Sequence, residues 1–461
     1  HQNIGFEAID LANGLFRVTN RFYFTNLKKY MVHYSVTANN KVVRSGKVSL
    51  DIEPQASKEF TVPVGNLKPQ AGTEYFVNFN VTTVEKEPLI PIGHEIACDQ
   101  FRLPIESPKK AFKTSGPKLT VSTNGDNLSA SSSKVNFVFN RKTGIVTSYK
   151  VDGTEYFSEG FGIQPNFWRA PTDNDYGNGM PKRLQVWKES SKNFNVTDAT
   201  VTMDGNNAVV NVNYLLPAGN LYIVNYTIYP SGAVNVAARF TSTDMDAAQT
   251  EVSEATRTAT FTPGRDAARK EASKLNVPRI GVRFRLPASM NQVEYFGRGP
   301  AENYLDRNAG SMVGLYKSTA EELYFPYVRP QENGHHTDTR WVSLSTGKKG
   351  LLIQADNTIG FNALRNSIED FDDEEATGLS RQWSNFTPEQ VANHDEAAAK
   401  NVLRRQHHIN NITPRDFVEV CVDLKQQGVA GYDSWGSRPE PAYTLPANRE
   451  YNWGFTLIPL K

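Results

Sequence analysis

Paired charges stand beside aromatic rings between Tyr295 and Trp341. The first stretch reads YFGRGPAENYLDRNAG from Tyr295, and the second reads YFPYVRPQENGHHTDTRW from Tyr324. Each stretch contains an arginine turn followed by a glutamate and an asparagine; these residues are Arg298, Glu302, Asn303, Arg329, Glu332 and Asn333. One interpretation is a buried ion-pair network that ties two strands together, because buried charges are normally paired. The other is a polar, aromatic-walled cleft for a polyhydroxylated ligand, and the residues leave both open.

Other acidic and histidine clusters are weaker candidates for catalysis. His335 and His336 are adjacent, and neighbouring residues of a strand point to opposite faces, so both cannot easily bind one metal ion. Asp173 and Asp175 are either a pair of catalytic carboxylates or part of an Asx-type turn, and we favour the turn. The motifs of serine hydrolases, zinc proteases, P-loop proteins and EF-hands are missing from the sequence. The sequence therefore predicts neither a metal site nor a catalytic constellation.

A tryptophan near the end of the sequence is the better candidate for a ligand contact. Trp435 lies between Gly431 and Gly436, next to Asp433. A tryptophan on a glycine-flexed loop is more often a contact residue than a core residue, because its ring covers a large area. The apolar face of a pyranose is a natural partner for such a ring. We therefore predict Trp435 as substrate-binding, with these residues as a candidate cleft: Asp433, Arg298, Glu302, Arg329, Glu332, Asn333 and His335.

The elements that must position these side chains are nearly all β-strands. Apolar and polar residues alternate in Val32–Val36, Val48–Ile52 and Val77–Val81, which is the period of half-buried strands. About seven such strands within ~100 residues are typical of an immunoglobulin-like sandwich. Pro- and Gly-rich residues 104–117 then indicate a linker. We predict an all-β protein with an immunoglobulin-like sandwich at 1–103 and one large β-sandwich at 118–461.

Composition limits the classes of partner. Lys and Arg number 50 against 49 Asp and Glu, so the net charge is +1 and nothing indicates a nucleic-acid partner. Mean hydropathy is −0.50, and no apolar run approaches the ~20 residues of a membrane span. Cys98 and Cys421 lie far apart and outside any metal-binding motif. The compartment is left open between the cytoplasm and the periplasm of a bacterium.

Several of these stretches together resemble one enzyme family. Tyr295–Pro300, Glu302–Tyr304 and Pro326–Gly334 resemble the C-terminal small-chain domain of glycoside hydrolase family 2 β-galactosidases. The segments Arg169–Asp175 and Asp433–Trp435 resemble that domain as well, and all of these segments follow one another in the order found in the family. The first ~100 residues, including Phe16–Arg21 and Phe24–Leu27, are similar to the immunoglobulin-like domain that precedes it in that family.

The resemblance implies a fold and a supporting role. The large sandwich would have a galactose-mutarotase-like fold, and Trp435 would form part of the sugar pocket of a retaining β-galactosidase (EC 3.2.1.23). The two catalytic glutamates would lie in a (β/α)₈ barrel of the same polypeptide. Because this sequence lacks an alternating βα pattern, we expect the barrel, its glutamates and its Mg and Na ions to lie outside this chain. The partners implied are a β-galactoside or other carbohydrate, the barrel of the same polypeptide, and further copies of the protein if it forms a homo-oligomer.

An independent module is the alternative. A carbohydrate-binding or aldose-epimerase-like module would need a histidine and a glutamate that converge, and His335 with Glu332 is the nearby pair. Residues 370–408 appear as an insertion with a helix from Thr387, which could reshape the sugar pocket if it lay near Trp435. The sequence starts at His1, and we expect a longer polypeptide or a processed one. The natural glycoside, its linkage and the oligomeric state are not specified by these residues.

Overall fold

A computed structural model describes residues 2–242, 275–372, 408–433 and 436–461. The chain divides into two compact units. The first comprises His1–Phe112 with Ala309–Leu315, and the second comprises Lys113–Asn308 with Tyr316–Lys461. Residues 309–315 belong to the first unit partly because Gln100 exchanges two hydrogen bonds with the backbone of Val313, at 2.9 and 2.8 Å.

Seven strands form the first unit. They are β1 Ile4–Asp10, β2 Leu15–Asn20, β3 Tyr30–Ala38, β4 Lys41–Val48, β5 Ser57–Thr61, β6 Tyr75–Thr83 and β7 Glu95–Arg102. They build a three-stranded sheet of order β1-β2-β5 and a four-stranded sheet of order β4-β3-β6-β7. Phe16 and Phe79 meet edge to face in the core, with ring centroids 4.9 Å apart. This confirms the prediction of alternating strands around one apolar core.

The predicted strand through Leu50 and Ile52 differs in the structure. β4 ends at Val48, and residues 49–52 form no strand. Leu50 and Ile52 are nevertheless buried, and the Leu27 amide donates to the Ile52 carbonyl at 3.1 Å. The apolar–polar alternation at residues 48–52 therefore indicates that Leu50 and Ile52 are buried, but it does not show that they pair with a neighbouring strand.

The second unit is also built mainly of strands. Their bounds are β8 Thr120–Asn124, β9 Asn127–Ser131, β10 Val135–Asn140, β11 Ile145–Val151, β12 Thr154–Glu155, β13 Gln164–Asn166, β14 Asn195–Asp204, β15 Asn207–Leu215, β16 Leu221–Ile228, β17 Val234–Thr241, β18 Arg279–Pro287, β19 Gln292–Gly299, β20 Met312–Thr319 (which begins in the segment of the first unit), β21 His336–Ser345, β22 Gly350–Leu364, β23 Phe417–Gln426 and β24 Tyr451–Leu460. The described helices are short: α1 Asp173–Gly177, α2 Met180–Arg183, α3 Gln185–Ser190 and α4 Ile368–Phe371. The all-β fold class is therefore confirmed.

Two sheets enclose one continuous core in this unit. The smaller has the order β12-β11-β10-β9-β8. The larger has twelve strands, with the path β13-β18-β23-β22-β24-β17-β16-β15-β14 and with β19, β20 and β21 off this path. The last strand, β24, lies between β22 and β17 in the middle of that path, which makes it a central strand of the large sheet.

Neighbouring strands of the large sheet have one apolar and one polar face. Gly281 of β18 and Gly360 of β22 both lie opposite Asp423 of β23. The strand sequences alternate, so Arg279 and Arg283 share a face with Glu419, Cys421 and Asp423. Both faces are buried, and the polar one must therefore satisfy its charges internally.

Candidate functional site

The first arginine turn of the Tyr295–Trp341 stretch begins in the last residues of β19. The Arg298 Nε atom lies 2.6 Å from Asp338 Oδ2, and its Nη1 donates to the Asn308 carbonyl at 3.3 Å. Asn303 is fully buried, and its Oδ1 accepts from the Thr337 amide at 3.0 Å. These bonds hold the 298–308 loop against the beginning of β21.

Glu302 connects the two halves of the segment. Its Oε2 accepts from the Gly334 amide at 2.7 Å, and its Oε1 accepts from the Tyr327 hydroxyl and from Arg307 Nη2, the latter at 3.1 Å. Burial is the main cause that raises the pKa of Tyr327, and the neighbouring Glu302 adds to it. Glu302 therefore acts as a carboxylate acceptor between strands.

Arg329 points to a different partner from the one that sequence order suggests. Its Nη1 lies 3.2 Å from Asp173 Oδ1, and its guanidinium lies 4.1 Å from the centroid of the Tyr176 ring. Asn333, three residues beyond Pro330, closes the loop by accepting from the Phe325 amide at 3.2 Å and donating to the Gln331 carbonyl at 2.9 Å. The second turn is thus fixed against α1.

Glu332 joins the polar face of the large sheet. Its Oε1 accepts from Gln426 Nε2 at 2.9 Å, from Asn362 Nδ2 at 3.1 Å and from Arg279 Nη2 at 3.2 Å. Arg279 also lies 3.2 Å from Asp423 Oδ2 through its Nε. Because all of these groups are buried, their charges are balanced by neighbours rather than by water.

His335 and Asp423 complete this buried cluster. His335 Nδ1 lies 2.9 Å from Asn362 Oδ1 and 3.9 Å from Asp423 Oδ2. Burial lowers the pKa of His335 to about 3, and the Arg279 guanidinium adds to the effect. Burial raises the pKa of Asp423 to about 7, while Arg279 opposes that rise. The imidazole of His335 is therefore neutral at physiological pH.

Two glycines make room for this cluster. A Cβ atom on Gly281 would lie 2.1 Å from Asp423 Oδ1, and one on Gly360 would lie 2.6 Å from His335 Cε1. Neither distance is compatible with a side chain at these strand positions. The strands can carry the charges only because glycine faces them.

The Asp173–Asp175 pair lies at the beginning of α1. Thr172 is the N-cap and forms a capping box with Asp175. Asp175 is also bound by both Nη atoms of Arg169, and the two side chains are 2% and 0% exposed. This is a helix start rather than the Asx-type turn that we favoured, and it uses Asp175 as the partner of a buried cation.

The loop that carries the predicted sugar contact is fixed on both sides. Trp435 itself lies outside the described residues, as does the helix predicted from Thr387. The Asp306 carboxylate accepts from the amides of Val429 and Ala430 at 3.0 and 2.7 Å. Asn174 of α1 donates to the carbonyls of Val429 and Ser437 at 3.2 and 2.7 Å.

The same loop is also closed internally. Asp433 Oδ1 accepts from the Ser437 amide at 3.2 Å, and the Gly431 amide donates to Ser437 Oγ at 3.2 Å. Ala430, Gly431 and Gly436 all have positive φ values, of 52°, 88° and 78°. Residues 429–433 with 436–437 therefore form an anchored loop, and we use that name for them below.

The predicted cleft residues thus fall into separate groups. Glu332 and His335 share the buried cluster around Asn362. The others have local partners: Arg298 pairs with Asp338, Arg329 with Asp173, and Asp433 with Ser437. The ion-pair interpretation describes these contacts, and a ligand cleft at this place stays a prediction.

Sequence reasoning missed Arg279, Asp423, Asn174 and Asp306. The signal for the first two was present, because all the charged residues of the otherwise apolar strands RIGVRFRLP and FVEVCVDLKQ fall on one alternating set of positions. Charged residues within a strand that is otherwise apolar indicate a buried polar face. Nothing in the sequence indicated that Asp306 lies beside Val429.

The described ranges contain neither a candidate metal site nor a candidate membrane-spanning helix. No group of three or more His, Cys, Asp or Glu side chains in that part of the chain could hold a metal ion. His336 faces the carbonyl oxygens of Gly334 and Pro300 through its two ring nitrogens, at 3.1 and 3.2 Å. No helix in the same ranges is long and apolar enough to cross a bilayer.

Two family models match the chain. The model for the β-galactosidase small chain matches residues 131–457, and the model for β-galactosidase domain 4 matches residues 16–104. Together they cover both units that the structure shows.

Curated relatives match almost the whole chain. The β-galactosidase of Priestia megaterium is 30% identical over 464 residues, which is 100% of this chain and 39% of the relative. Those of Lactobacillus delbrueckii and Streptococcus thermophilus are 26% and 24% identical and cover 98% and 96% of this chain. The chain spans between 37% and 39% of the length of these relatives.

Solved structures with a related shape match about three quarters of the chain. A galactose mutarotase-like protein from Lactobacillus casei matches with a TM-score of 0.35 and 10% identity, covering 72% of this chain and 100% of its own. A galactose 1-epimerase from Lactobacillus acidophilus matches with a TM-score of 0.34 and 8% identity, covering 75% of this chain and 98% of its own.

Proposed function

The chain belongs to the β-galactosidase small chain family, and from this we propose that it is the non-catalytic, C-terminal part of a retaining β-galactosidase. The longer protein would hydrolyse terminal β-D-galactosides. This chain would supply one wall of the sugar pocket to a barrel domain whose sequence lies outside it. The observation that carries the proposal is the match of essentially the whole chain to relatives named β-galactosidase.

Trp435 is the residue that we propose as the sugar-contacting wall. The anchored loop supports this role, because Asp306 holds its Ala430 side and Asn174 holds its Ser437 side. A contact residue on a fixed loop loses little conformational entropy when a ligand binds. An indole ring can cover the apolar face of a pyranose without a polar partner.

The catalytic glutamates and the metal ions are proposed to belong to the barrel. Retaining glycosidases need two carboxyl groups about 5–5.5 Å apart on either side of the scissile bond. In the described ranges the buried glutamates have other partners: Glu332 accepts three hydrogen bonds, and Glu419 pairs with Arg283 and Arg285. Such carboxylates serve the sheet and are poorly placed to attack a sugar.

The test needs the full-length protein. We expect Trp435→Ala to lower kcat/KM for a nitrophenyl galactoside by about 5- to 150-fold, the effect of losing one apolar contact worth ~1–3 kcal/mol. Trp435→Phe keeps an aromatic face and should retain most of the activity. Wild-type kinetics in Trp435→Ala would contradict the role of this residue.

A second assay separates this proposal from the epimerase-like alternative. We expect the 461-residue chain alone to hydrolyse no galactoside and to leave the rate of galactose mutarotation at its uncatalysed value. The alternative requires His335 and Glu332 to act on a sugar, although both are buried and bonded to Asn362. Mutarotation by the wild type that disappears in His335→Ala would establish the alternative instead.

A further inference from the structure

A cavity of about 330 Å³ lies beside the base of the anchored loop. The lining comes from the α1–α2 region, from the segment before β18 and from both sides of the loop: Asp175, Asn178, Arg183, Asn276, Gln427, Arg438, Pro439, Pro441 and Thr444. The volume is at the lower end of the range for small-molecule sites. Seven of these nine residues are polar or charged, so the lining suits a small polar ligand.

Two arginines give this cavity a positive charge. Arg183 extends from the end of α2, and its Nη2 donates to Asn178 Oδ1 at 3.1 Å, while its buried Nε has no hydrogen-bond partner within the described ranges. Burial is the main cause that lowers the pKa of Arg183, and the neighbouring positive charge of Arg438 lowers it further. The two guanidinium groups therefore repel each other across the cavity.

The acidic group in the lining does not neutralise them. Asp175 attracts Arg183, but its carboxylate already accepts from both Nη atoms of Arg169 and from Thr172. Among the residues that the structure describes, neither Arg183 nor Arg438 forms an ion pair. The cavity consequently keeps an excess of positive charge, which an anion can relieve.

Neutral hydrogen-bonding groups complete the lining. Gln427 is 4% exposed and lines the cavity. Its side-chain amide is both a hydrogen-bond donor and an acceptor. Gln427 and Asn276 therefore add neutral donors and acceptors to the lining that contains the two arginines.

We propose that this cavity binds a small oxyanion, a phosphate or a carboxylate, through Arg183 and Arg438. The ligand is either the free anion or the anionic group of a small polar molecule such as a sugar phosphate. Arginine suits either, because its planar guanidinium presents paired donors to the oxygens of both groups. The site goes beyond the proposed galactosidase role and does not depend on it.

The experiment is calorimetric titration of the intact protein with inorganic phosphate, galactose 6-phosphate and galactose, at low ionic strength. We expect phosphate to bind, and Arg183→Met and Arg438→Met each to weaken it about tenfold or more, as for the loss of a charge-assisted hydrogen bond. Lys182→Met removes an equal charge from the exposed neighbour on α2, which does not line the cavity, and should leave the affinity unchanged.

Comparing the three titrations shows whether the bound anion is free or part of a sugar phosphate. Tighter binding of galactose 6-phosphate than of phosphate, lost in both arginine variants, would indicate a phosphorylated sugar; equal binding would indicate the free anion. Galactose binding should be insensitive to both variants. Absence of phosphate binding by the wild type, or affinities unchanged in both arginine variants, would overturn the proposal.

A charge-reversal variant adds a stability readout to the binding readout. Arg438→Glu places a carboxylate next to Arg183, so it should abolish phosphate binding and raise the Tm by removing the repulsion. Lys182→Glu should do neither. An Arg438→Glu variant that binds phosphate like the wild type would refute the assignment even if Arg183→Met fails to fold.

Discussion

Removing the Asp306 carboxylate should detach the anchored loop without touching the sugar. Asp306 accepts from two consecutive amides, those of Val429 and Ala430, at 3.0 and 2.7 Å. A hydrogen bond to a charged group contributes roughly 1.5–3 kcal/mol, and the partly buried position of Asp306 favours the lower end. With two such bonds lost, Asp306→Ala should therefore destabilise the ordered conformation of the loop by about 3 kcal/mol.

The effect on catalysis is bounded by the contact that the loop carries. Trp435 is expected to contribute ~1–3 kcal/mol to transition-state binding, so misplacing it cannot cost more. We predict that Asp306→Ala lowers kcat/KM of the full-length protein about tenfold. Asp306→Asn keeps one acceptor oxygen and should lose less, while Asp126→Ala, an exposed acid paired with Arg141, should lose nothing.

A double-mutant cycle is the decisive assay. If Asp306 acts through the loop, Asp306→Ala should have little further effect in a Trp435→Ala background, because the contact is already gone. Gly428→Ala should lower kcat/KM as Asp306→Ala alone does, because the added Cβ would lie 2.4 Å from Asp306 Oδ2 and displace that carboxylate. Additive losses in the double variant would refute a positioning role for Asp306.

Three further predictions concern stability. Asp175→Ala leaves Arg169 buried without its partner and should lower the free energy of unfolding by about 3–5 kcal/mol in urea; a loss below 1 kcal/mol would contradict the buried pair. His335 is neutral when folded, and its lowered pKa of about 3 means that the unfolded chain takes up the proton first as the pH falls below ~6.5. The free energy of unfolding should thus decrease as the pH falls from ~6.5 to 3, by up to ~1.4 kcal/mol per pH unit. In a plot of Tm against pH, His335→Asn should make this decrease smaller. An unchanged slope in the variant would exclude His335 as the cause. Gly281→Ala should cost ~1–3 kcal/mol because its Cβ meets a buried carboxylate oxygen, whereas Gly310→Ala has open space and should be neutral; equal Tm values would refute the crowding argument.

The strands could be predicted from sequence because each satisfies a local rule. Val77, Phe79 and Val81 alternate with polar residues, and all three are buried in β6. The same rule wrongly predicted a strand at Leu50 and Ile52, because buried residues show the same apolar–polar alternation whether or not they pair with a neighbouring strand. Pairing depends on a neighbour that the local sequence does not contain.

The site was less predictable because its contacts join distant residues. Arg329 and Glu332 are three residues apart in the sequence, yet Arg329 pairs with Asp173 and Glu332 pairs with Arg279. The anchors of the loop, Asp306 and Asn174, precede it by more than a hundred residues. Motifs identified the family, but only tertiary structure could assign the partners.

The central position of β24 has a consequence for biosynthesis. Until residues 451–460 leave the ribosome, β17 and β22 each expose an unpaired edge in the middle of what becomes one sheet. Unpaired edges are templates for pairing with other chains, so nascent molecules should be prone to aggregation up to that moment. Final closure of the large sheet must wait for the strand that is translated last among the twelve, and a chaperone that shields open edges would act in that interval.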